Sequence, residues 1–377
     1  MDTNKTLHII SFQNPYPPVF GGVIDVYYKL KALHKCGVKV HFHCFIDNEQ
    51  TDISELLRLA EVVHVYPRRF KLLKLFSPFP FSVASRYNKR LYENLQAVDA
   101  PLFFEGLQST FVLHKHAFPT RKKILRLHNV ESNYYNGLAQ SETHFFKRLL
   151  FQWEARKYAS YQAILAKFHK VYTLSHFEQD YVQSHHHNAE YLPVFHGSIQ
   201  MPRRAEFGDF ALYHGDLRMA DNRKAVLFLV ELFKTIPSYN LVIAASKGEK
   251  FVRKLIKNQP NITFAHLKTQ NQLAVLLSSA QMNVMLSFQQ SGTKLKTINA
   301  LHKSRHCIVN SNMVDDPEIL ALCTVANTQD EFRAAIEELR FVEFTDDIQD
   351  EREVVFDRVL SDDSNAQKIA NYISIDS

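Results

Sequence analysis

Long apolar runs and paired cysteines are both missing from this sequence. No uninterrupted apolar stretch reaches about 18 residues, so we expect no membrane-spanning helix. Residues 1–6 lack a basic segment followed by an apolar one, and we expect no signal peptide. The cysteines show no Cys-x-x-Cys spacing, which disfavours a disulfide framework and a zinc site. They are Cys36, Cys44, Cys307 and Cys323. These absences predict reduced thiols and a cytoplasmic protein.

Charge of one sign is also scarce, since 45 Lys and Arg against 39 Asp and Glu leave a net charge of +6 over 377 residues. This balance permits anionic ligands or a membrane surface without requiring nucleic acid. The sequence shows no recognition helix, zinc finger or aromatic RNA-binding motif, so we expect no nucleic-acid partner. The hydrophobic content of 46% is typical of a globular protein, and the length suits two domains.

Short apolar segments alternate with helical patterns along most of the chain. The expected strands of the first half are residues 7–11, 38–42, 62–66, 101–104, 123–127, 171–174 and 191–194. The alternation stops at a segment with Pro, Gly and charge, residues 192–204, and then resumes. We predict an α/β protein of the GT-B type, with two facing Rossmann-like domains that each contain a doubly wound parallel sheet. The predicted division is residues 1–197, residues 198–345, and a C-terminal helical segment, residues 346–377, packing back on the N-terminal domain.

Two segments far apart in the chain have the pattern of anion sites. Residues 7–11 run into a Pro-rich loop that ends in Gly21 and Gly22, and residues 282–286 run into a loop that contains Gly292. A helix follows each loop, and its free N–H groups and dipole favour an anion there. Glycine lets the backbone approach a phosphate closely, although a tight turn into a helix is the simpler reason for each loop alone. Two such junctions suggest one ligand shared between the domains.

Polar residues end several of the expected strands, where the ligand crevice of an open parallel sheet lies. Glu105 follows residues 101–104, and His128 and Glu131 follow residues 123–127. His128 could hydrogen-bond a sugar hydroxyl or a developing oxyanion, and the glutamates could orient an acceptor or act as a base. The competing reasons are structural: a strand-end histidine often only completes a hydrogen-bond network, and the helix dipole favours a carboxylate at a helix start.

Two further features have competing interpretations. His185, His186 and His187 point in different directions rather than along one helix face, which disfavours a metal site. Residues 68–92 contain seven Lys or Arg, no Asp or Glu, and several large apolar side chains. This composition suits peripheral contact with the inner face of an anionic membrane, or with a lipid-linked substrate. It equally suits a half-buried helix and loop with a solvated face.

Together these features resemble the retaining glycosyltransferases of the GT-B fold, family-4 type, over nearly the whole chain. The segments that carry the resemblance are Pro15-Tyr16-Pro17-Pro18-Val19-Phe20-Gly21-Gly22, Leu127-His128-Asn129-Val130-Glu131, Thr173-Leu174-Ser175, residues 192–197, Tyr213-His214-Gly215 and residues 291–301. The resemblance implies a nucleotide-diphospho-sugar donor on the second domain and an acceptor on the first. It places Gly21 and Gly22 near the donor diphosphate and His128 near the donor sugar. It implies no metal and no other cofactor, because helix N-termini and basic side chains offset the charge of the leaving diphosphate.

The sequence departs from the family pattern at the donor site. Ser291 and Asn299 stand where the family usually has two glutamates, and Asp216 and Asn222 stand near the positions of an Arg and a Lys. Ser291 and Asn299 can still hydrogen-bond the sugar and the ribose, but neither carries charge.

Neutralisation of the diphosphate must then come from other cations nearby. The candidates are Arg218, Arg223, Lys224, Lys294 and Lys296. Lys294 and Lys296 point to different faces of the helix start, and we favour Lys294 from its position. With it we assign Arg218, Gly292 and Thr293 to the diphosphate site.

The sequence thus predicts a retaining, metal-independent hexosyltransferase. It would move a sugar from a nucleotide-diphospho-sugar to a saccharide or lipid-linked saccharide in surface polysaccharide or glycan synthesis. His128, Glu105 and Glu131 are the predicted catalytic residues. The rival prediction is a catalytically impaired GT-B scaffold that serves as a saccharide-binding or partner subunit, which the missing glutamates favour and His128 opposes. A third, a nucleotide-sugar epimerase on the same fold, would interconvert donors without an acceptor.

Overall fold

Two compact units make up the chain. The computed structural model describes residues 5–19, 21–48, 51–68, 72–142, 144–186, 188–197, 201–203, 207–289 and 294–374. Unit 1 comprises Met1–Gly197 with Leu360–Ser377, and unit 2 comprises Ser198–Val359. The division within the C-terminal segment therefore falls after Val359, whereas the sequence suggested a division after residue 345. Within the described residues, no helix has the length and apolar character needed to cross a bilayer.

Unit 1 contains a seven-stranded parallel sheet. Its strands are β1 (Thr6–Ser11), β2 (Lys39–Ile46), β3 (Val62–Pro67), β4 (Leu102–Glu105), β5 (Lys123–Leu127), β6 (Lys170–Thr173) and β7 (Ala189–Tyr191). Their order is β3-β2-β1-β4-β5-β6-β7, and every neighbouring pair is parallel. The strand order reverses between β1 and β4, so the ligand crevice of this sheet is expected at their carboxyl ends.

Helices cover both faces of this sheet. They are α1 (Gly21–Lys35), α2 (Leu56–Leu59), α3 (Phe81–Ala84), α4 (Lys89–Gln96), α5 (Phe111–Lys115), α6 (Glu131–Ser141), α7 (Phe145–Tyr161) and α8 (His176–His186). Leu7 and Ile9 of β1 pack in one core with Leu30 of α1, while Ile10 packs in the opposite core with Leu91 of α4. Burial on both faces explains why these strands read as continuous apolar runs.

Unit 2 repeats the architecture with six parallel strands. They are β8 (Ala211–His214), β9 (Leu241–Ala245), β10 (Ile262–His266), β11 (Met282–Met285), β12 (His306–Val309) and β13 (Thr324–Val325). Its helices are α9 (Ala220–Phe233), α10 (Glu249–Leu255), α11 (Gln270–Ser279), α12 (Leu295–Lys303), α13 (Pro317–Ala321), α14 (Gln329–Leu339) and α15 (Asp346–Val359). The order β10-β9-β8-β11-β12-β13 reverses between β8 and β11. The two sheets confirm the predicted α/β class with doubly wound parallel sheets.

The last helix, α16 (Asp362–Ser374), belongs to unit 1 and packs against α1. Ile369 and Ala370 lie in the same core as Leu30. At its start, Asp362 accepts the N–H groups of His196 at 3.1 Å and Gly197 at 2.8 Å. These bonds join residues 196–197, where the N-terminal part of unit 1 ends, to the C-terminal helix of the same unit.

Candidate active site

Gly22 and His128 lie side by side at the carboxyl edge of the unit 1 sheet. Gly22 is in the first turn of α1, and His128 directly follows β5. A Cβ built on Gly22 would lie 3.5 Å from His128 Nδ1 and 3.2 Å from Cζ of Phe12, whereas one on Gly21 would meet nothing within 4 Å. Gly22 therefore lets the helix backbone approach the imidazole, and a side chain there would crowd it.

A carboxylate fixes the other side of the His128 ring. Nε2 lies 3.3 Å from Oε2 of Glu105, which ends β4, and the ring of Phe12 meets the imidazole edge-on at 5.7 Å. Because a carboxylate accepts hydrogen bonds, a neutral His128 carries its proton on Nε2 and leaves Nδ1 as an acceptor. Of the imidazole atoms, Nδ1 lies nearest the Cβ position of Gly22, so the sheet edge presents an oriented imidazole acceptor beside the glycine backbone.

Glu105 is itself held by a buried ion-pair network. Lys29 of α1 donates to Oε1 and Oε2 of Glu105 at 2.8 and 3.0 Å and to Oδ2 of Asp25 at 2.9 Å. Arg126 of β5 binds the same Asp25 at 2.8 and 3.1 Å. All four charged side chains are buried, and their charges sum to zero. Burial raises the pKa of Asp25, but the Arg126 and Lys29 charges beside it prevail and hold that pKa well below its usual range.

The sequence predicted Glu105 but not Asp25, Lys29 or Arg126. Asp25 and Lys29 lie four positions apart in α1, among buried apolar residues. Arg126 stands between Leu125 and Leu127 inside β5. The available signal was this isolated charge in a buried strand, because a strand-interior Arg requires a buried partner.

Asp25, Glu105 and His128 place ligand atoms within 4.8 Å of one another, as a metal site would. The side-chain cations that already bind these carboxylates oppose a metal ion there. Lys29 binds both carboxylates and Arg126 binds one of them, so a divalent ion would meet two positive charges at contact distance. The chemistry of this set is that of a neutralised hydrogen-bond network.

Glu131, the third predicted catalytic residue, has different surroundings. It begins α6, is buried, and accepts a 2.8 Å hydrogen bond from Nε2 of Gln108. Burial raises the pKa of Glu131 to about 7, partly offset by the Gln108 bond. Gln108 also leaves no room for a side chain at position 106: φ of Gly106 is +68°, and a Cβ there would lie 2.3 Å from Gln108 Oε1. Glu131 therefore exchanges a proton near neutral pH beside the Gln108 amide.

In unit 2, the carboxyl end of β8 is organised around Asn222 at the start of α9. Its side-chain amide donates to the Asp216 carbonyl at 3.0 Å, and its oxygen accepts from the Tyr213 hydroxyl at 3.2 Å and from Nζ of Lys296 at 3.3 Å. Lys296 also lies over the Tyr213 ring, 5.2 Å from its centroid. The pKa of Lys296 is lowered to about 8, chiefly by burial and also by the Lys294 charge, while the Asp221 charge opposes the shift.

Arg218, predicted in the diphosphate site, pairs with a neighbouring carboxylate. Its guanidinium binds Asp216 at 2.7–3.0 Å, and its side chain is 72% exposed. Arg223 donates to the Leu217 carbonyl at 2.7 Å, and Lys224 lies 4.0 Å from the centroid of the Phe288 ring. Arg218 would have to leave Asp216 to meet a phosphate.

Hydrogen bonds fix the two residues Ser287 and Phe288 that follow the end of β11. The Ser287 hydroxyl donates to Asp221 at 2.9 Å, the Phe288 N–H donates to the same carboxylate at 2.9 Å, and Asn310 bonds both backbone groups of Ser287. Asp221 and Asn310 were not predicted. Their bonds set the path of the chain into the loop before α12.

Part of the predicted donor site falls outside the described residues. This applies to Ser291, Gly292 and Thr293. Lys294 is the residue before α12, and Asn299 lies half-buried within that helix. Lys294, the cation favoured from sequence, remains a prediction; the side chain of Lys296 contacts Asn222 at the end of β8.

The histidines at 185–187 and the basic 68–92 segment are the two remaining features from the sequence, and several of their described side chains bond to nearby groups of unit 1. His185 bonds the Tyr181 carbonyl at 2.8 Å, and His187 is outside the described residues. In the 68–92 segment, Arg86 is buried and bonds the Phe12 carbonyl, Lys74 bonds the Ala84 carbonyl and Arg68 pairs with Asp47. These three cations are thus engaged within unit 1.

Comparisons with known proteins fit this architecture. No family model matches the sequence. A curated relative, an uncharacterized 44.6 kDa protein in the cps region of Klebsiella pneumoniae, is 24% identical over 328 residues, 80% of this chain and 82% of its own. Sucrose-phosphate synthase from Thermosynechococcus elongatus superposes with a TM-score of 0.67 at 14% identity, covering 97% of both chains. The chain has the GT-B fold. A point mutant of S. aureus TarM superposes on this GT-B chain with a TM-score of 0.65 at 10% identity, covering 98% of this chain and 99% of its own. That structure is a complex with Fondaparinux, alpha-GlcNAc-glycerol and UDP.

Proposed function

We propose that the protein is a glycosyltransferase that moves a sugar from a nucleotide-diphospho-sugar to a saccharide or lipid-linked saccharide with retention. The observation that carries the proposal is the oriented imidazole of His128 beside Gly22 on a GT-B fold. A core held by four buried charges is costly unless the geometry is well defined. Here that geometry fixes one ring at the sheet edge where ligands bind.

His128 would contact the transferred sugar. With Nε2 bound to Glu105, Nδ1 accepts a hydrogen bond from a sugar hydroxyl, and the ring keeps this orientation because Lys29 fixes Glu105. The retaining course means that the acceptor hydroxyl attacks from the face that the diphosphate leaves. Glu131, with a pKa near 7, is the group suited to exchange a proton with an acceptor.

The donor would bind unit 2. Lys294 and Lys296 flank the start of α12, where backbone N–H groups and a cation stabilise a diphosphate without a metal. Asn299 on the same helix and Ser291 would hydrogen-bond the ribose and the sugar. UDP in the TarM complex makes a uridine donor the first to test. The cps-region relative supports a role in surface polysaccharide synthesis.

A catalytically impaired scaffold is the second candidate. The pairing of Arg218 with Asp216 favours it, because that pair leaves one predicted phosphate ligand neutralised. Thermal shift against uridine, guanosine and adenosine diphospho-sugars, followed by assay of nucleoside diphosphate release, separates the two. A donor that raises the melting temperature and is turned over supports the enzyme, since a ligand of the native state must stabilise it. Donor binding without release, or no binding of any donor, contradicts the enzyme and leaves the scaffold as the remaining candidate.

A further inference from the structure

The first half of α7 does not bury a face. His144 and the first six residues of α7, residues 145–150, are all exposed, whereas the second half of the helix buries Ala155, Tyr158 and Tyr161. A helix of a globular protein normally turns one apolar stripe to the core. In residues 144–150 the large apolar side chains face solvent instead.

These side chains form one surface with a neighbouring segment, here called the α7 patch. Its members are Phe76, Phe145, Phe146, Leu149, Leu150 and Trp153. Phe76 is 77% exposed and Phe146 is 74% exposed. Phe76 approaches Trp153 to 6.1 Å between ring centroids, which joins the short 3₁₀ helix Leu72–Phe76 to α7. Exposed apolar surface of this extent on a globular protein marks an interaction site.

The charges on α7 are positive wherever they face outward. Lys147, Arg148 and Arg156 are exposed, and the Arg148 guanidinium lies 5.8 Å from the Phe145 ring centroid. The single carboxylate of the helix, Glu154, is buried; Lys157 pairs with it at 2.8 Å and the Phe81 N–H donates to it. Just before the helix, Glu142 accepts the His144 N–H. Apolar rings interleaved with exposed cations complement an anionic lipid surface.

A second copy of the chain fits this surface less well. In a two-fold contact the same patch would face itself, so two surfaces whose exposed charges are all positive would meet. Headgroup phosphates would instead pair with these cations while the rings enter the acyl boundary. The α7 patch therefore favours a bilayer over a dimer.

We propose that the α7 patch docks unit 1 on an anionic phospholipid bilayer, with Phe145 and Phe146 entering between headgroups and Lys147 and Arg148 on the phosphates. The membrane contact thus lies at α7 together with Phe76, rather than along the 68–92 segment as a whole. It stands apart from the proposed sugar transfer, although α6, which packs along α7, begins three residues after His128.

The chain carries its own reporter, because Trp153 is the only tryptophan in the sequence. The test mixes the full-length protein with vesicles of phosphatidylcholine alone, or with about one third phosphatidylglycerol. Sedimentation measures binding, and quenching of Trp153 by lipids brominated on the acyl chain measures insertion. We expect binding and quenching with the anionic vesicles alone.

Two variants and two matched controls assign the effect. Phe145→Ser with Phe146→Ser should abolish quenching, and Lys147→Gln with Arg148→Gln should weaken binding about 25-fold, about fivefold for each cation. Phe341→Ser, at an exposed ring in unit 2, and Lys31→Gln with Lys39→Gln, at exposed lysines in unit 1, should leave both readouts unchanged. Equal loss in controls and patch variants, binding without quenching, or light scattering that shows a dimer broken by the Phe variants would each overturn the proposal.

Discussion

Lys29 Nζ lies 2.8 Å from Glu105 Oε1, and neither side chain is exposed to solvent. This pair connects α1, which carries the glycine turn, to β4, which carries the carboxylate that orients His128. The same ammonium reaches Asp25, and through it Arg126 of β5. The candidate site in unit 1 is therefore built on one electrostatically neutral core that joins α1, β4 and β5.

Lys29→Met should destabilise the protein by about 3–5 kcal/mol, because it leaves the buried Glu105 carboxylate without its cation, whereas Asp25 keeps Arg126. Urea unfolding at pH 7 measures this change in the free energy of unfolding. The double variant Lys29→Met, Glu105→Gln should recover part of the loss, since it removes the stranded charge as well. If the double variant were less stable than the single one by the full cost of a second independent mutation, the coupling would be refuted.

Gly22→Ala should lower turnover while the protein remains folded. The added methyl would lie 3.5 Å from His128 Nδ1 and 3.2 Å from Phe12, which narrows the space beside the imidazole acceptor. Gly21→Ala is the comparator, because its methyl meets nothing within 4 Å. Turnover should fall further in the Gly22 variant than in the Gly21 variant, at similar melting temperatures. Equal effects would mean that helix-start flexibility, rather than space beside His128, is what matters.

Glu131→Gln should change the pH dependence of stability. The folded-state pKa of about 7 lies above the ordinary glutamate pKa of 4.5, so ionisation of Glu131 costs stability as pH rises from about 4.5 through 7. A shift of this size corresponds to about 3 kcal/mol. The variant should gain stability relative to wild type between pH 5 and pH 8, measured by urea unfolding. Glu351→Gln, at an exposed position, is the control and should show a difference that does not vary with pH.

Lys296 should make nucleotide binding depend on pH. Its pKa of about 8 means that the cation is present at pH 7 and largely lost at pH 9, so affinity for a nucleoside diphosphate should fall about tenfold in that interval. Lys296→Arg should flatten the dependence because Arg stays protonated. Titration calorimetry at both pH values measures it. If Lys294→Met removed the pH dependence and Lys296→Arg did not alter it, Lys294 would be the cation concerned.

The fold was accessible from sequence because parallel strands buried on both faces leave continuous apolar runs. Residues 123–127 were predicted and β5 is Lys123–Leu127; residues 282–286 were predicted and β11 is Met282–Met285. His128 and Glu105 were accessible for the related reason that both stand at strand ends.

The charged core beneath them was not accessible in the same way. Asp25 and Lys29 lie on a helix beside apolar residues, where charge usually marks a solvated face. Their burial depends on Arg126, which is 101 residues from Asp25 in the chain. No local pattern records such a partner, so the network became visible only when the strands were assembled.

Release of nucleoside diphosphate from a panel of uridine, guanosine and adenosine diphospho-sugars, by wild type and by His128→Ala, tests the sugar-transfer account most directly. Sugar transfer requires that at least one donor is turned over. If His128 contacts the transferred sugar, the variant should lose about 100-fold or more in turnover while its affinity for that donor changes little. Turnover and donor affinity that fall together in the variant would contradict the role of His128, and a panel without any binding or release would contradict sugar transfer itself.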